Sequence, residues 1–206
     1  FQCSESRAAL KGTCALQYIE WGEQEQFDSR STLSGRERWY DVGRKEPADA
    51  IVLRRIGERC PFFEANGFLE DCCLFGITGN DANVETEILL ATLNATWTRL
   101  YLEVITRPLT GAQPVADTNV YLLEQTLVFD VRTLSPEQTK YIKTAFRQLR
   151  DTPAESIYVE VEKPERHRLD RLFFEVAGIT DNQQERVYRA LTNIVSQRLA
   201  KAETGD

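Results

Sequence analysis

The spacing of hydrophobic and polar positions changes near residue 84. Upstream of this point the apolar runs are short and are interrupted by glycine, proline, asparagine and serine, a pattern typical of strands and loops. Downstream, apolar side chains recur at helical spacing over about five turns. The pattern predicts one long helix over residues 83–106, built on Ile88, Leu89, Leu93, Trp97, Leu100, Tyr101 and Val104.

Three short apolar runs upstream are predicted to be extended. They cover residues 16–21, 50–60 and 69–78. The second begins with the β-branched run AIVL and is closed by a proline, and Asn66-Gly67 is a strong signal for a turn to an antiparallel neighbour.

The C-terminal half is predicted to be mainly helical after one or two strands within residues 119–131. Ser135-Pro136-Glu137-Gln138 has the order of a capping box, so a helix is expected to run to about residue 150. Helices are also predicted over residues 165–177, ended by Gly178, and over 181–202, capped by Thr180. The last is expected to bury Val187, Leu191, Ile194 and Leu199.

These elements predict an α+β fold. We expect a small mixed or antiparallel sheet domain with the long helix at residues 1–108. A strand and a helical hairpin at residues 109–206 are expected to pack on it. The run Leu172-Phe173-Phe174 offers an apolar side chain for contact with a further domain.

Charge is unevenly distributed along the 206 residues, whose net charge is -7. Residues 30–60 hold eight basic and five acidic side chains, whereas residues 61–105 hold one basic and seven acidic ones. The overall acidity argues against nonspecific coating of nucleic acid but leaves room for a local basic face. There is no methionine, from which we expect a fragment or a processed product.

Cysteine and histidine give no metal or disulfide framework. The five cysteines are irregularly spaced and His167 is the single histidine, so zinc lacks the paired short spacings that it needs. Cys72 and Cys73 lie in an apolar run and are expected to be buried thiols. All five are expected to be reduced, which favours the cytoplasm, and no stretch is long and apolar enough to span a bilayer.

No complete active site is recognisable. A methyl, phosphoryl or hydride transferase would need a glycine-rich turn between strand and helix, and none is present. Glu160 and Lys163 are one residue too far apart for the acid-x-lysine arrangement of restriction nucleases, and His167 is expected to be a solvated helical residue. We therefore expect this chain not to be an enzyme, and to bind no cofactor or metal.

The densest basic segment, GRERWYDVGRK at residues 35–45, joins cations with aromatic rings. Guanidinium groups hold phosphates and read guanine edges, and aromatic rings stack on bases or brace a loop. The alternative is a solvated turn whose rings fill a small core. The candidate DNA-binding residues are Arg36, Arg38, Trp39, Tyr40, Arg44, Lys45, Arg54, Arg55 and Arg59.

Three stretches together resemble a known family. They are Arg38-Trp39-Tyr40 after the pair Gly22-Glu23, then Leu93-Asn94-Ala95 with Tyr101. The third is the helical ending with Leu169-Asp170, Gly178, Val187-Tyr188 and Arg198. In this order they resemble the C-terminal specificity region of TaqI-like adenine-specific N6 DNA methyltransferases, including fused restriction-modification enzymes, over residues 16–203.

The resemblance implies a target-recognition domain that binds double-stranded DNA. An N-terminal catalytic domain of the same parent chain would carry the S-adenosylmethionine and Asn-Pro-Pro-Tyr motifs, neither of which occurs here. It would flip the adenine out of the duplex while this chain holds the DNA. The resemblance also implies the cytoplasm of a bacterium or archaeon. In this role Trp39 and Tyr40 are expected to brace their loop. The alternative, favoured by the overall acidity, is a protein–protein assembly module without DNA contact.

Overall fold

The chain has an α+β fold, as the sequence predicts. The computed structural model describes residues 3–43, 45–108 and 115–204, and these residues form eight helices and six short strands. The chain divides into two compact units, Phe1–Glu46 and Pro47–Asp206. The boundary predicted at residue 108 falls inside the second unit, whose main core takes side chains from both sides of that position.

The first unit is built around one helix, α1 (Cys14–Gln24). The Thr13 side chain caps it by accepting from the backbone N–H of Leu16 at 3.2 Å. The helix buries Ile19 against Leu10 and Tyr40. The extended segment predicted at residues 16–21 is therefore wrong, because an N-cap and one buried helical face determine this stretch.

The second unit contains two three-stranded antiparallel sheets. The first has the order β3-β1-β4, with β1 (Ala50–Leu53) between β3 (Phe63–Glu64) and β4 (Leu74–Ile77). The second has the order β2-β6-β5, comprising β2 (Arg55–Ile56), β6 (Ala116–Asp117) and β5 (Arg107–Pro108). Ala50 lies opposite Ile77 in the first sheet, and Arg55 lies opposite Asp117 in the second.

Arg54 forms the junction between the two sheets. Its N–H donates to Cys73 O at 2.9 Å, and its carbonyl accepts from Thr118 N at 2.8 Å. The strand predicted over residues 50–60 is thus divided between two sheets. The strand predicted over residues 69–78 is shorter, and Cys72 and Cys73 before it are exposed, so their predicted burial is wrong. All five cysteines are free thiols.

The predicted Asn66-Gly67 turn is confirmed. Both residues have positive φ, 49° and 79°, and Phe68 N donates across the turn to Ala65 O at 2.8 Å. The turn follows β3 and leads towards β4, and these two strands flank β1 on opposite sides.

Seven helices complete the second unit. They are α2 (Thr86–Leu93), α3 (Thr96–Ile105), α4 (Val120–Glu124), α5 (Pro136–Arg150), α6 (Ile157–Glu160), α7 (Pro164–Val176) and α8 (Asp181–Thr204). The predicted capping box is present: Ser135 Oγ accepts from Gln138 N at 3.2 Å, and Gln138 Oε1 accepts from Ser135 N at 2.8 Å. Gly178, with φ of 67°, follows α7 as predicted.

Two predictions in this region are wrong. Residues 83–106 form two helices, because the chain leaves the helical conformation at Ala95, where ψ is 145°. The predicted strands at residues 119–131 are replaced by α4 and a single 3-10 turn. The Asn119 side chain caps α4 by accepting from Leu122 N at 2.9 Å.

The second unit has a main and a smaller apolar core. The main core joins the sheet residues Ala50, Val52 and Ile56 to α2, α5 and α7. The smaller core joins α6, α7 and α8 through Phe174 and Leu191. Leu191 is fully buried, while the other three predicted core residues of α8 are half-buried. Leu172, Phe173 and Phe174 are all buried within this unit, so none is available to a further domain.

No helix formed by the described residues is both long enough and apolar enough to pass through a membrane.

Candidate nucleic-acid interface

The two aromatic candidates in the first unit are packed inside it. Trp39 lies against Gly22, where an added Cβ would be 2.5 Å from the indole Cη2. Its Nε1–H donates to Glu23 Oε1 at 3.3 Å. Tyr40 is 4% exposed and donates its hydroxyl to the carbonyl of Glu5 at 3.0 Å. Both rings brace their loop, and Tyr40 offers no surface to a ligand.

The cations of this segment lie on the outside of the first unit. Arg36 is exposed and donates to the backbone carbonyl of Asp41 at 3.0 Å. Arg38 pairs with the Asp41 carboxylate at 3.3 Å and keeps 36% of its side chain exposed. Lys45 is exposed, and Arg44 lies outside the described residues. Both arginines contact Asp41, and both remain accessible to solvent.

The remaining three cations belong to the second unit. Arg54, at the sheet junction, is 48% exposed and lies 3.4 Å from Asp117 Oδ1. Arg55 in β2 and Arg59 just after it are also exposed. Within the part of the chain that the structure describes, no carboxylate forms an ion pair with Arg55 or Arg59. The guanidinium groups of Arg55 and Arg59 are therefore available as donors on the surface of the second unit.

The structure also contains a buried ionic network that residue-level reasoning missed. Glu103 on α3 accepts from Arg99 on the same helix and from Arg198 on α8, the latter at 3.1 Å. The three side chains are only 2%, 8% and 6% exposed. Both arginines also donate to the carbonyl of Gly57, at 2.9 and 3.1 Å. Burial lowers the pKa of Arg99 to about 10, against the opposing attraction of Glu103.

A second buried node is centred on Asp170 of α7. Its carboxylate accepts from Thr96 N at 2.8 Å, Thr96 Oγ1 at 2.6 Å and the Tyr188 hydroxyl at 3.1 Å. Burial raises the pKa of this carboxyl despite those hydrogen bonds and nearby Arg166, and burial also raises the pKa of Tyr188. The carboxylate caps the first turn of α3, where the helix dipole favours negative charge.

A third cluster surrounds Glu160 at the end of α6. The acid accepts from Lys163 at 2.6 Å and from Arg166 at 2.7 Å. Burial alone would raise the pKa of Glu160, but these hydrogen bonds outweigh it and hold the pKa below its ordinary value. Lys163 also donates to the carbonyl of Pro153 at 2.6 Å. Glu160 and Lys163, whose spacing does not match that of restriction nucleases, thus form a structural ion pair.

His167 lies exposed on α7, as predicted, and stacks on Tyr188 with ring centroids 4.7 Å apart. Its Nε2 is 2.6 Å from the carbonyl of Val161.

Beside these clusters is a mainly apolar cavity of about 210 Å³. Its lining includes Phe62, Asn94, Arg99, Phe146, Glu160 and Arg166. Three buried nitrogens in this region, Arg99 Nε and Nη1 and Arg166 Nε, have no acceptor among the described residues. Opposite charges balance along the cavity wall, so the lining indicates no preference for an anion.

The surface next to Arg55 carries a pair of thiols. Cys73 and Cys72 are exposed neighbours before β4, and hydrogen bonding between them raises the pKa of Cys73, an effect that the Arg55 guanidinium opposes.

The structure places the candidates in two groups, one per unit. Three residues of the buried polar clusters, Asp170, Tyr188 and Arg198, belong to the C-terminal stretch that carries the family resemblance. That resemblance was the only sequence signal that singled them out. Glu103 and Thr96 carry no such signal. Compared with protein-family models, curated proteins and solved structures, the chain matches none.

Proposed function

We propose that the chain is the DNA target-recognition part of an adenine-specific N6 DNA methyltransferase or restriction-modification enzyme. It binds duplex DNA and directs methylation by a catalytic domain that this sequence does not contain. The observation that carries the proposal is the exposure of Arg54 at the junction of the two sheets, of Arg55 in β2 and of Arg59 three residues after that strand.

The geometry of these cations suits phosphate contact. Arg55 and Arg59 are not committed to carboxylates within the described residues. The exposed Arg54–Asp117 pair is worth no more than about 1 kcal/mol, so exchanging it for a phosphate costs little. A guanidinium that instead binds a guanine edge favours guanine over the other bases by about 1–3 kcal/mol. The cations of the first unit, Arg36, Arg38, Arg44 and Lys45, are proposed to add phosphate contacts.

The resemblance supports the same role because its residues form a coherent scaffold. Asn94, Asp170, Tyr188 and Arg198 come from distant parts of the sequence. Asn94 ends α2, Asp170 and Tyr188 meet at the start of α3, and Arg198 pairs with α3 through Glu103. This scaffold supports β2, which carries Arg55, through the hydrogen bonds that the carbonyl of the following residue, Gly57, accepts.

In this proposal the catalytic domain and the present chain have different roles. The catalytic domain would bind S-adenosylmethionine, which supplies the methyl group. The present chain contributes cations that hold the phosphates, and base-edge contacts that fix the register of the target adenine. Its buried carboxylates are committed to structural hydrogen bonds and take no part in the transfer.

A salt titration of duplex binding tests the proposal. We expect the chain to bind a mixed-sequence duplex at low salt, and the affinity to fall steeply as salt increases. The variant Arg55→Gln/Arg59→Gln should reduce the slope of log affinity against log salt by roughly two, since each phosphate contact contributes about 0.9. Fluorescence anisotropy at several salt concentrations measures both quantities.

Arg189→Gln is the matched control, since Arg189 is an exposed arginine on α8 of the same unit. It should leave the slope unchanged. No binding at low salt by a folded chain would refute DNA recognition. An unaltered slope in the double variant would refute the assignment of Arg55 and Arg59 as phosphate contacts.

The alternative proposal is an acidic protein–protein assembly module without DNA contact. It is favoured by the net charge of -7 and by the exposed apolar side chains of Phe63, Phe68 and Leu69, which are 46%, 73% and 43% exposed. Concentration-dependent association in sedimentation velocity, weakened by Phe68→Ser and combined with no duplex binding, would favour this module.

A further inference from the structure

Three metal-ligating side chains lie together on the surface just before β4. They are Asp71, Cys72 and Cys73, and all three are exposed. A carboxylate oxygen and the two Sγ atoms all lie within 4.8 Å of one another. They form the one such group of three among residues 3–43, 45–108 and 115–204.

The backbone holds this group in place. Asp71 Oδ1 accepts from Cys73 N at 2.8 Å, and Leu74 N donates to Asp71 O at 3.3 Å. Cys73 O accepts from Arg54 N at 2.9 Å, which continues the pairing of β1 with β4. These hydrogen bonds anchor the backbone of Asp71 and Cys73 to the edge of a sheet, and Cys72 lies between them.

The donor set is suited to a soft cation. A tetrahedral zinc ion bound at about 2.3 Å by two thiolates holds the sulfur atoms roughly 3.8 Å apart, which is within the spacing found here. Magnesium and calcium prefer all-oxygen sites, so two sulfurs select against them.

We propose that Asp71, Cys72 and Cys73 form a binding site for a thiophilic divalent cation of the Zn²⁺ or Cd²⁺ class. The fourth position is left to water. Each thiol releases its proton to solvent as its sulfur–metal bond forms, so binding converts two thiols and one free cation into a bis-thiolate complex and two protons. The proposal of this metal site does not rest on the proposed DNA recognition.

Cadmium titration tests the site on the whole chain. With Cd²⁺ added to the reduced protein, we expect a thiolate-to-cadmium charge-transfer band that saturates at one ion per chain. Cys72→Ser and Cys73→Ser should each abolish the saturating band. Asp71→Asn keeps an acceptor for Cys73 N but loses the carboxylate charge, and should weaken binding about tenfold or more.

Cys14→Ser is the matched control, because Cys14 is an exposed cysteine in the other unit. It should leave the titration unchanged, and Zn²⁺ but not Mg²⁺ should compete with Cd²⁺. Protection from alkylation in the unsubstituted chain provides a readout that needs no variant. Bound Cd²⁺ should protect Cys72 and Cys73 and leave Cys14 reactive. A band that survives both serine substitutions, saturation at one ion per two chains, or no protection of this pair would overturn the proposal.

Discussion

Replacing Glu103 by glutamine tests the buried ionic network most directly. Glu103→Gln keeps the shape of the side chain but removes the negative charge between Arg99 and Arg198, whose side chains are 8% and 6% exposed. Each charge pair is worth about 4 kcal/mol at the effective dielectric constant of protein sites, before desolvation is subtracted. Removing one partner of a buried pair costs about 3–5 kcal/mol.

The glutamine oxygen still accepts one hydrogen bond, so we expect a loss near the lower limit, about 3 kcal/mol. With a urea slope near 2.5 kcal/mol/M, the unfolding midpoint should fall by roughly 1 M. Hydrogen exchange at amides of α3 and α8 should become about a hundredfold faster, since 1.4 kcal/mol is a tenfold change in population.

Two comparisons make this test specific. Glu175→Gln on α7 is the matched control, because Glu175 is exposed and should change the midpoint little. In a double-mutant cycle with Arg198→Met, the combined loss should be smaller than the sum by at least about 1 kcal/mol. A loss below about 1 kcal/mol in Glu103→Gln, or strict additivity, would refute the view that this carboxylate neutralises two buried cations.

Three further predictions concern local contacts. Asn94→Ala removes three hydrogen bonds of one amide and should cost about 1–3 kcal/mol in urea denaturation, and Asn94→Asp should cost more because its carboxylate would face two carbonyls. The Arg147 hydrogen bond lowers the pKa of Glu87 from its ordinary 4.5. Arg147→Gln should therefore lower the free energy of unfolding slightly at neutral pH, and this difference should vanish as pH falls below 4.5 through the folded-state pKa. Equal losses at both pH values would contradict this linkage. Gly22→Ala places a Cβ 2.5 Å from Trp39 and should cost about 1–3 kcal/mol with a shift in tryptophan fluorescence, whereas an unchanged spectrum would show that the ring adapts.

The helices with local caps were predictable from the sequence. The side chains of Ser135 and Gln138 each accept a hydrogen bond from the backbone N–H of the other residue. The start of α5 is therefore encoded by residues within one turn. The same kind of signal is present at Thr13 and Asn119, whose side chains cap α1 and α4. In both places a short apolar run suggested a strand while the preceding residue specified a helix.

The break between α2 and α3 depends on contacts that no local pattern contains. Asn94 donates to Phe62 O at 3.0 Å, and Asp170 caps Thr96 from 74 positions further along the chain. Helical periodicity continues through residues 94 and 95, so sequence spacing alone predicts one helix. The Asn94 amide also donates to Leu90 O at 2.9 Å, so this side chain ends α2 and ties it to Phe62.

The candidate interface was predictable as a set of residues but not as a surface. Arginine clusters identified exposed cations, whereas the inward position of Tyr40 depends on a hydrogen bond to Glu5, 35 residues earlier. The exposure of Cys72 and Cys73 was missed for a related reason. The apolar run continues into β4, but these two residues precede the strand and are exposed to solvent.

The pairing of Arg198 with Glu103 limits how α8 can pack against α3. Apolar side chains tolerate sliding, because a leucine displaced by one helical turn meets another apolar surface of similar character. A slide of one turn moves Arg198 by about 5.4 Å, which takes its guanidinium out of reach of both Glu103 and the Gly57 carbonyl. A shift of one turn would therefore leave a buried charge without its partner, which is energetically costly. The ionic contact thus selects one register of α8 against α3 from several that hydrophobic packing alone would accept.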